Sequence, residues 1–344
     1  MGQKWVWQQA NWPNWSFDQT QVTPCLLGAV RAVSPLITLA NQLSPEKRLA
    51  FESQVLLDET LSTSQIEQQV LDRDSVRSSI ARHLGLPNAK LVEKRWQAQL
   101  FIETPRLKEI TLGDYRDEAM TVVSGHFGRK DVVHFQAPCE HRACVEAYME
   151  QFIDWFNQDQ ADADYPVYDY LKAAIAKFWF VTIHPFDDGN GRLSRILAER
   201  CLAQADDTDI RLYSISSEMA RQKSDYYHLL EKMQKGEGDL TEWILWFLNC
   251  VRAAAQTSLN RLEKVGYATQ FWDQHRAKSF NERQRKLLLR FLETDDFDDG
   301  IAKRKYKNLV ATSDATAARD LTELVELGVL QIQGKGRSVK YFLS

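Results

Sequence analysis

His184-Pro-Phe-Asp-Asp-Gly-Asn-Gly-Arg-Leu-Ser-Arg195 sets the reading of this 344-residue chain. Glycines at 189 and 191 flank Asn190 and free the backbone for positive φ, so successive N–H groups can point into one concave space. A helix opening at about Gly191 would place those N–H groups at its positive end, where phosphate binds well. Arg192 and Arg195, three apart, then share one helix face and reach the same polyphosphate. Asp188, just ahead of the turn, has the chemistry to hold a magnesium ion against phosphate oxygens. His184 has that of a base taking a proton from an attacking hydroxyl. Singly, each residue type has an ordinary structural use; together, at this spacing, they describe a nucleotide-handling site.

The scaffold around this loop reads as mainly α. Leu171 to Ile183 is strongly apolar and predicts a helix at the centre of a bundle, with His184 at its end. Helical periodicity runs from Glu140 to about residue 263. Ser44-Pro45-Glu46 supplies a cap, a first-turn proline and an acidic first turn, predicting a helix to about Leu61. Asp74 is expected to cap a short helix ending at Gly85. Two strand-like runs, Met120–Val123 and Val132–Phe135, bracket a turn and predict a hairpin. The segment Lys4–Trp15 carries four tryptophans and is expected to be an irregular arm whose rings pack onto the body.

The His184–Arg195 segment matches, residue for residue, the Fic-family signature His-Pro-Phe-x-(Asp/Glu)-Gly-Asn-Gly-Arg-x-x-Arg. The resemblance implies a Fic-type helical bundle with a β-hairpin flap, transferring AMP from ATP to a Ser, Thr or Tyr hydroxyl of a target protein. It implies His184 as the catalytic base, with Gly189, Asn190, Gly191, Arg192 and Arg195 on the ATP phosphates and Mg2+ on Asp188. Val122, Val123, Gly125 and His126 fall in the flap, which pins the target's backbone by strand addition. Tyr226 and Tyr227 fall in a segment that resembles the adenine side of the family's pocket. The tryptophan-rich start resembles the extension of one subgroup, from which Lys90–Trp96 departs by running straight on where relatives carry an extra helical stretch.

Many Fic proteins also carry an inhibitory helix marked (Ser/Thr)-x-x-x-Glu-(Gly/Asn). Thr63 and Glu67 fit its first and fifth positions, and Gln68 departs from the sixth. The resemblance implies that Glu67 pairs with Arg195 and blocks the arginine that would hold the γ-phosphate. In some members the same glutamate is thought to position water for removing AMP, and others move UMP, phosphocholine or phosphate. The direction of the reaction, self-modification and a homodimer stay open.

Hydrophobic content of 44% and charged content of 26% are those of a soluble globular chain, long enough for two or three domains. No apolar run is expected to reach the length needed to cross a bilayer, so no membrane partner is expected. The opening residues predict neither a secretory leader nor, with Trp7 at the sixth position, myristoylation. Cys25, Cys139, Cys144, Cys201 and Cys250 are scattered and predict reduced thiols in a cytoplasmic protein.

The expected domains are residues 1–92 (arm, helices and inhibitory helix), 93–265 (catalytic core) and 276–344. From Arg276 onward the charge is +4 against −8 for the rest. Helices at Gln284–Leu292, from Ile301 and at Ser313–Leu324, then strands at Gly328–Ile332 and Arg337–Phe342, resemble a winged helix-turn-helix. Thr316, Arg319, Lys335 and Arg337 are its candidate DNA contacts. Protein contacts or dimerisation are an equal reading of this module. A nucleotide-sensing DNA-binding regulator is therefore the alternative to a transferase.

Overall fold

The computed structural model describes residues 5–84, 113–124, 132–158, 168–208, 210–293, 297 and 299–344. The chain divides into two compact units, residues 1–258 and 259–344. In the first, the N-terminal arm has a single 3-10 turn at Val6–Gln8. Its rings do pack on the body, with Trp12 and Trp15 set edge-on to Trp179 at 6.4 and 6.2 Å and Trp5 edge-on to Phe135 at 5.4 Å.

Helix α1 (Gln19–Asn41) corrects the membrane-length expectation. Its apolar window has a mean hydropathy of 1.6, long and apolar enough by composition to cross a bilayer. The sequence hid this by scattering Thr, Ser, Pro and one Arg through the run. One stripe of α1 (Val22, Leu26, Ala29, Val33, Leu36, Ala40) is buried against the body. Helix α2 (Pro45–Ile66) starts at the predicted Ser44 cap but runs past Leu61, which brings Glu67 to its C-cap. Helix α3 (Arg73–His83) is capped by Asp72, whose Oδ1 accepts from the Ser75 N–H at 2.8 Å, and not by Asp74. Asp74 sits in the first turn, where a carboxylate favours the helix dipole.

Strands β1 (Thr121–Ser124) and β2 (Val132–Gln136) pair antiparallel, with Val122 opposite Phe135 and a register shift before Val123. The helices that follow are α4 (Arg142–Asn157), α5 (Tyr168–Ile183), α6 (Asn190–Ala205), α7 (Ile215–Arg221), α8 (Lys223–Gln234) and α9 (Thr241–Gln274). A disulfide joins Cys139 to Cys144 across 5.5 Å between Cα atoms, which corrects the reading of all five cysteines as free thiols. Cys139 takes a left-handed φ of 74° just before α4, folding the two sulfurs together in a way that spacing alone does not reveal. With the pair oxidised, the thiol argument for a reducing compartment loses part of its premise.

Helix α5 is the buried centre, as its composition predicts: Ala173, Ala174, Phe178, Trp179 and Ile183 are all 2% exposed or less. Each such large apolar side chain contributes roughly 1.5–3 kcal/mol by leaving water. The Trp243 indole of α9 donates to the Ala174 carbonyl at 2.8 Å, fixing α9 against α5. A core helix held this firmly is a rigid mount for whatever stands at its end.

The second unit contains α10 (Glu282–Glu293), α11 (Lys303–Val310), α12 (Asp314–Glu326) and the antiparallel pair β3 (Leu330–Gln333) and β4 (Lys340–Leu343). Leu287, Leu288, Tyr306, Leu321, Leu324 and Val329 form its core. Buried Asp320 accepts hydrogen bonds from Arg283, Asn281 and Tyr306 at 2.8–3.1 Å. Ile301 does not open a helix; it bridges Tyr341 beside β4. Strand β4 starts later than predicted because a 3-10 turn takes up Gly336–Ser338.

Candidate active site

Helix α5 stops where His184 adopts a left-handed φ of 52° and Pro185 follows, which cannot donate to the helix. The His184 N–H still bonds to the Phe180 carbonyl at 3.0 Å, and Nδ1 lies 3.2 Å from the Val181 carbonyl. A carbonyl only accepts, so Nδ1 carries the proton and Nε2 keeps its lone pair. Burial pushes the imidazole pKa down. The Val181 contact, Glu67 and Asp188 oppose that shift, and the Arg116 cation adds to it. The ring is therefore held in its neutral, basic form.

Asn190 is 2% exposed and clamps the loop, accepting from the Phe186 N–H at 3.0 Å and donating to the Phe186 carbonyl at 2.6 Å. Of the two flanking glycines only Gly189 takes positive φ (87°); Gly191 lies in the first turn of α6, which opens at Asn190. What Gly191 provides is closeness: a Cβ built there would run into the Glu67 carboxylate. Asp188 accepts from the Gly189 N–H at 2.6 Å and from Arg192 at 3.0 Å, with its side chain 61% exposed. Phe186 packs beside Tyr115 and Phe180.

Arg195 is almost fully buried, and α2 supplies its partners. Nη2 donates to Glu67 Oε1 at 2.6 Å, while Nε donates to Thr63 Oγ1 at 2.6 Å. Arg192 and Arg195 are thus engaged with separate carboxylates and not with each other's. Gln68, the departure from the family pattern, lies at the end of α2 and adopts a left-handed φ of 61°. Its N–H bonds to the Gln65 carbonyl at 3.1 Å and that of Gln69 to the Ser64 carbonyl at 2.8 Å, a Schellman-type helix end. That geometry favours Gly or Asn, and here glutamine adopts it.

A cavity of about 600 Å3 opens beside this cluster, lined by Glu67, His184, Gly191, Tyr227 and the flap residues Val122 and His134. Tyr226 also borders it but is 2% exposed, stacked on Trp246 at 5.4 Å and accepting from Lys177 Nζ at 2.9 Å. Tyr227 is 40% exposed and donates to the Ile66 carbonyl at 3.2 Å. Its hydroxyl pKa is pushed up to about 12, by burial first and by Glu67 second. Val122 and Val123 are exposed on β1, whereas Gly125, His126 and the Lys90–Trp96 stretch lie outside the described residues.

Two participants, Glu231 and Lys177, escaped the sequence reading, whereas His134 falls in the flap hairpin and His228 in the adenine-side segment already singled out. His228 and Glu231 line the cavity, and His134 bridges Glu231 to Ser124 at 2.8 and 2.5 Å. Lys177 is fully buried beneath Tyr226 and Trp243; burial and, next, Arg195 hold its amine well below the usual lysine range. A lysine inside an apolar helix was the available signal.

With this geometry in hand, residues 94–202 match the family model described as Fic/DOC family, and residues 5–86 match one described as a domain of unknown function (DUF4172). The chain carries a Fic/DOC domain. The chain is 35% identical over 102 residues to "Protein adenylyltransferase Fic" of Drosophila grimshawi, covering 30% of this chain and 19% of that protein. The same protein of Drosophila mojavensis matches at 35% over 102 residues, covering 18% of its length. The chain thus spans less than a fifth of the length of these curated relatives. A solved Fic family protein from Desulfovibrio desulfuricans aligns over 93% of this chain and 96% of its own, at 17% identity and a TM-score of 0.44.

Of the candidate DNA contacts, Arg319 and Lys335 are exposed, and Thr316 hydrogen-bonds its helix cap Ser313. The Arg337 side chain lies outside the described residues.

Proposed function

We propose that the chain is a protein adenylyltransferase that moves AMP from ATP to a Ser, Thr or Tyr hydroxyl of a target protein and is held in check by Glu67. One observation carries this reading. The positive end of α6 has a neutral imidazole on one side and a buried guanidinium on the other, and a carboxylate already fills the place an anion would take.

Once Glu67 withdraws, the first-turn N–H groups of α6, with Arg192 and Arg195, bind the polyphosphate. His184 Nε2 takes the proton of the target hydroxyl; its oxygen bonds to the α-phosphorus as the bond to pyrophosphate breaks. Positioning and charge stabilisation carry the rate. Asp188 fits magnesium in a limited sense: one exposed carboxylate beside the phosphate site, with no group of three metal-binding side chains among the described residues. Magnesium commonly takes one or two carboxylates and completes its shell with substrate phosphates. When bound it would neutralise charge on the leaving pyrophosphate.

The exposed valines and free edges of the flap suit strand addition by the target, and Tyr227 is the better placed of the two tyrosines for the adenine side. Glu67 also stands where it could direct water for the reverse reaction. The α10–α12 and β3–β4 order supports a winged-helix reading of the second unit, in which Arg319 and Lys335 are exposed candidate contacts.

The test is incubation with ATP labelled in the α- or the γ-phosphate, with and without His184→Ala. Protein label from the α-phosphate alone, lost in His184→Ala, supports the transferase. ATP binding with no label in any variant supports the regulator.

A further inference from the structure

Arg116 lies just upstream of the flap and is fully buried, yet its hydrogen bonds go to backbone carbonyls. Nε donates to the His184 carbonyl at 2.8 Å. Nη1 donates to the carbonyls of Glu118 at 2.6 Å and Cys139 at 2.8 Å, and Nη2 to those of Pro138 and, at 3.4 Å, Ile183. Its own N–H donates to the Pro185 carbonyl at 3.0 Å. One side chain therefore grips three segments: its own, the one leaving β2, and the end of α5.

The last of these matters most. Carbonyls at a helix C-terminus have no intrahelical donor, and buried ones need one from elsewhere. Ile183 and His184 stand at such an end, where Pro185 lacks an N–H. A cation there also favours the negative end of the helix dipole. The left-handed backbone of His184 is a conformation that surroundings must hold in place, and Arg116 is the group that holds its carbonyl.

We propose that Arg116 is a positioning residue for His184, its fork fixing the helix break that aims the imidazole and locking the base and the flap into one frame. The proposal rests on the reading of His184 as the base. Arg116 acts through charge as well. The charged groups acting on the imidazole are Arg116, Glu67 from the end of α2 and Asp188 from the loop, and of these only Arg116 disfavours the protonated ring.

The test uses the full chain in a Glu67→Gly background, with Arg116→Lys and Arg116→Gln. The readouts are kcat and KM for label transfer from ATP, and the His184 imidazole titration followed by NMR and assigned with His184→Gln. In Arg116→Gln, kcat falls about 10- to 100-fold, the loss expected of a misaimed catalytic group. KM for ATP stays within about twofold, and the imidazole titrates at higher pH than in the parent. Arg116→Lys keeps the charge and hence the parental titration, but one ammonium cannot span three segments, so kcat still falls. If Arg116→Gln does not fold, Arg116→Lys decides: a lower kcat at unchanged thermal midpoint supports the proposal, and an unchanged kcat overturns it. Folded variants with parental kcat and titration, or a KM that rises in step with the loss, overturn it as well. Transfer that survives His184→Ala sinks the reading of the base, while a shifted titration in Arg116→Gln still upholds the positioning role.

Discussion

The Glu67 carboxylate accepts a hydrogen bond from Arg195 Nη2 at 2.6 Å and rests against Gly191, in the first turn of the helix whose positive end would receive phosphate. A single side chain thus neutralises the buried cation and fills the place proposed for phosphate. Both effects oppose a polyphosphate in the same place. The C-cap of α2 is where sequence, local conformation and the proposed inhibition meet.

Gln68 gives the first prediction. A non-glycine residue in the left-handed region costs about 1 kcal/mol or more, and Gln68 is there at a φ of 61°. Gln68→Gly is expected to tighten the end of α2, raising the thermal midpoint and lowering the residual transfer of the otherwise unaltered chain. Unchanged midpoint and transfer would count against a role for this turn in holding Glu67.

Thr63 is the second hold on Arg195. Thr63→Val keeps the shape but removes the acceptor 2.6 Å from Nε. Leaving a buried donor unpaired costs about 1–3 kcal/mol, and the cost falls on the inhibited state. Basal transfer should rise to a level between the unaltered chain and Glu67→Gly, with KM for the target unchanged.

The pH dependence follows from His184, whose pKa lies below the ordinary value of 6.5 because of burial first. The neutral ring is the active form. In a Glu67→Gly background, transfer should therefore hold as pH falls through 6.5 and decline only below it. Removing the Glu67 carboxylate, which favours the protonated ring, moves the decline lower still. The same shift makes stability fall as pH drops below 6.5 through the folded-state value. An acid limb above 6.5 in a pH–rate profile would contradict this placement.

Two turns back along α2 and one turn on along α6 from the Glu67–Arg195 pair, the two helices meet again through Glu59 and Glu199. Glu59 accepts from Ser214 at 2.7 Å and from the Ser216 hydroxyl, and Glu199 pairs with Arg211. Burial, then the neighbouring Glu59 carboxyl, raises the Glu199 pKa well above its usual range, against the pull of Arg211. A raised carboxyl pKa means stability present below the unfolded value and lost as pH rises towards the folded one. Thermal midpoints from pH 5 to pH 8 should fall more steeply in the unaltered chain than in Glu199→Gln. Parallel curves would show that the proton is not held there.

Local patterns carried much of this into view from the sequence. The His184–Arg195 loop, the apolar run of α5, the hairpin strands and the Ser44 cap are each fixed by neighbours in the chain, and each stands where expected. Arg116 and the Glu59–Glu199 meeting were not legible, because their partners lie far along the chain and only folding brings them close. The Cys139–Cys144 disulfide depends on a left-handed turn that no composition announces. Helix α1 was missed because its apolar residues are diluted by Thr, Ser and Pro; Asp72 was passed over as a cap because Asp74 two residues on fits the same rule.

Transfer of label from ATP labelled in the α-phosphate, compared across the unaltered chain, Glu67→Gly, His184→Ala and the double variant, tests the central claim most directly. If a charged hydrogen bond of about 1.5–3 kcal/mol holds the proposed inhibited state, labelling should rise about 10- to 100-fold in Glu67→Gly and vanish when His184 is also lost. Equal labelling with and without Glu67, in variants that bind ATP and remain folded, would contradict the account.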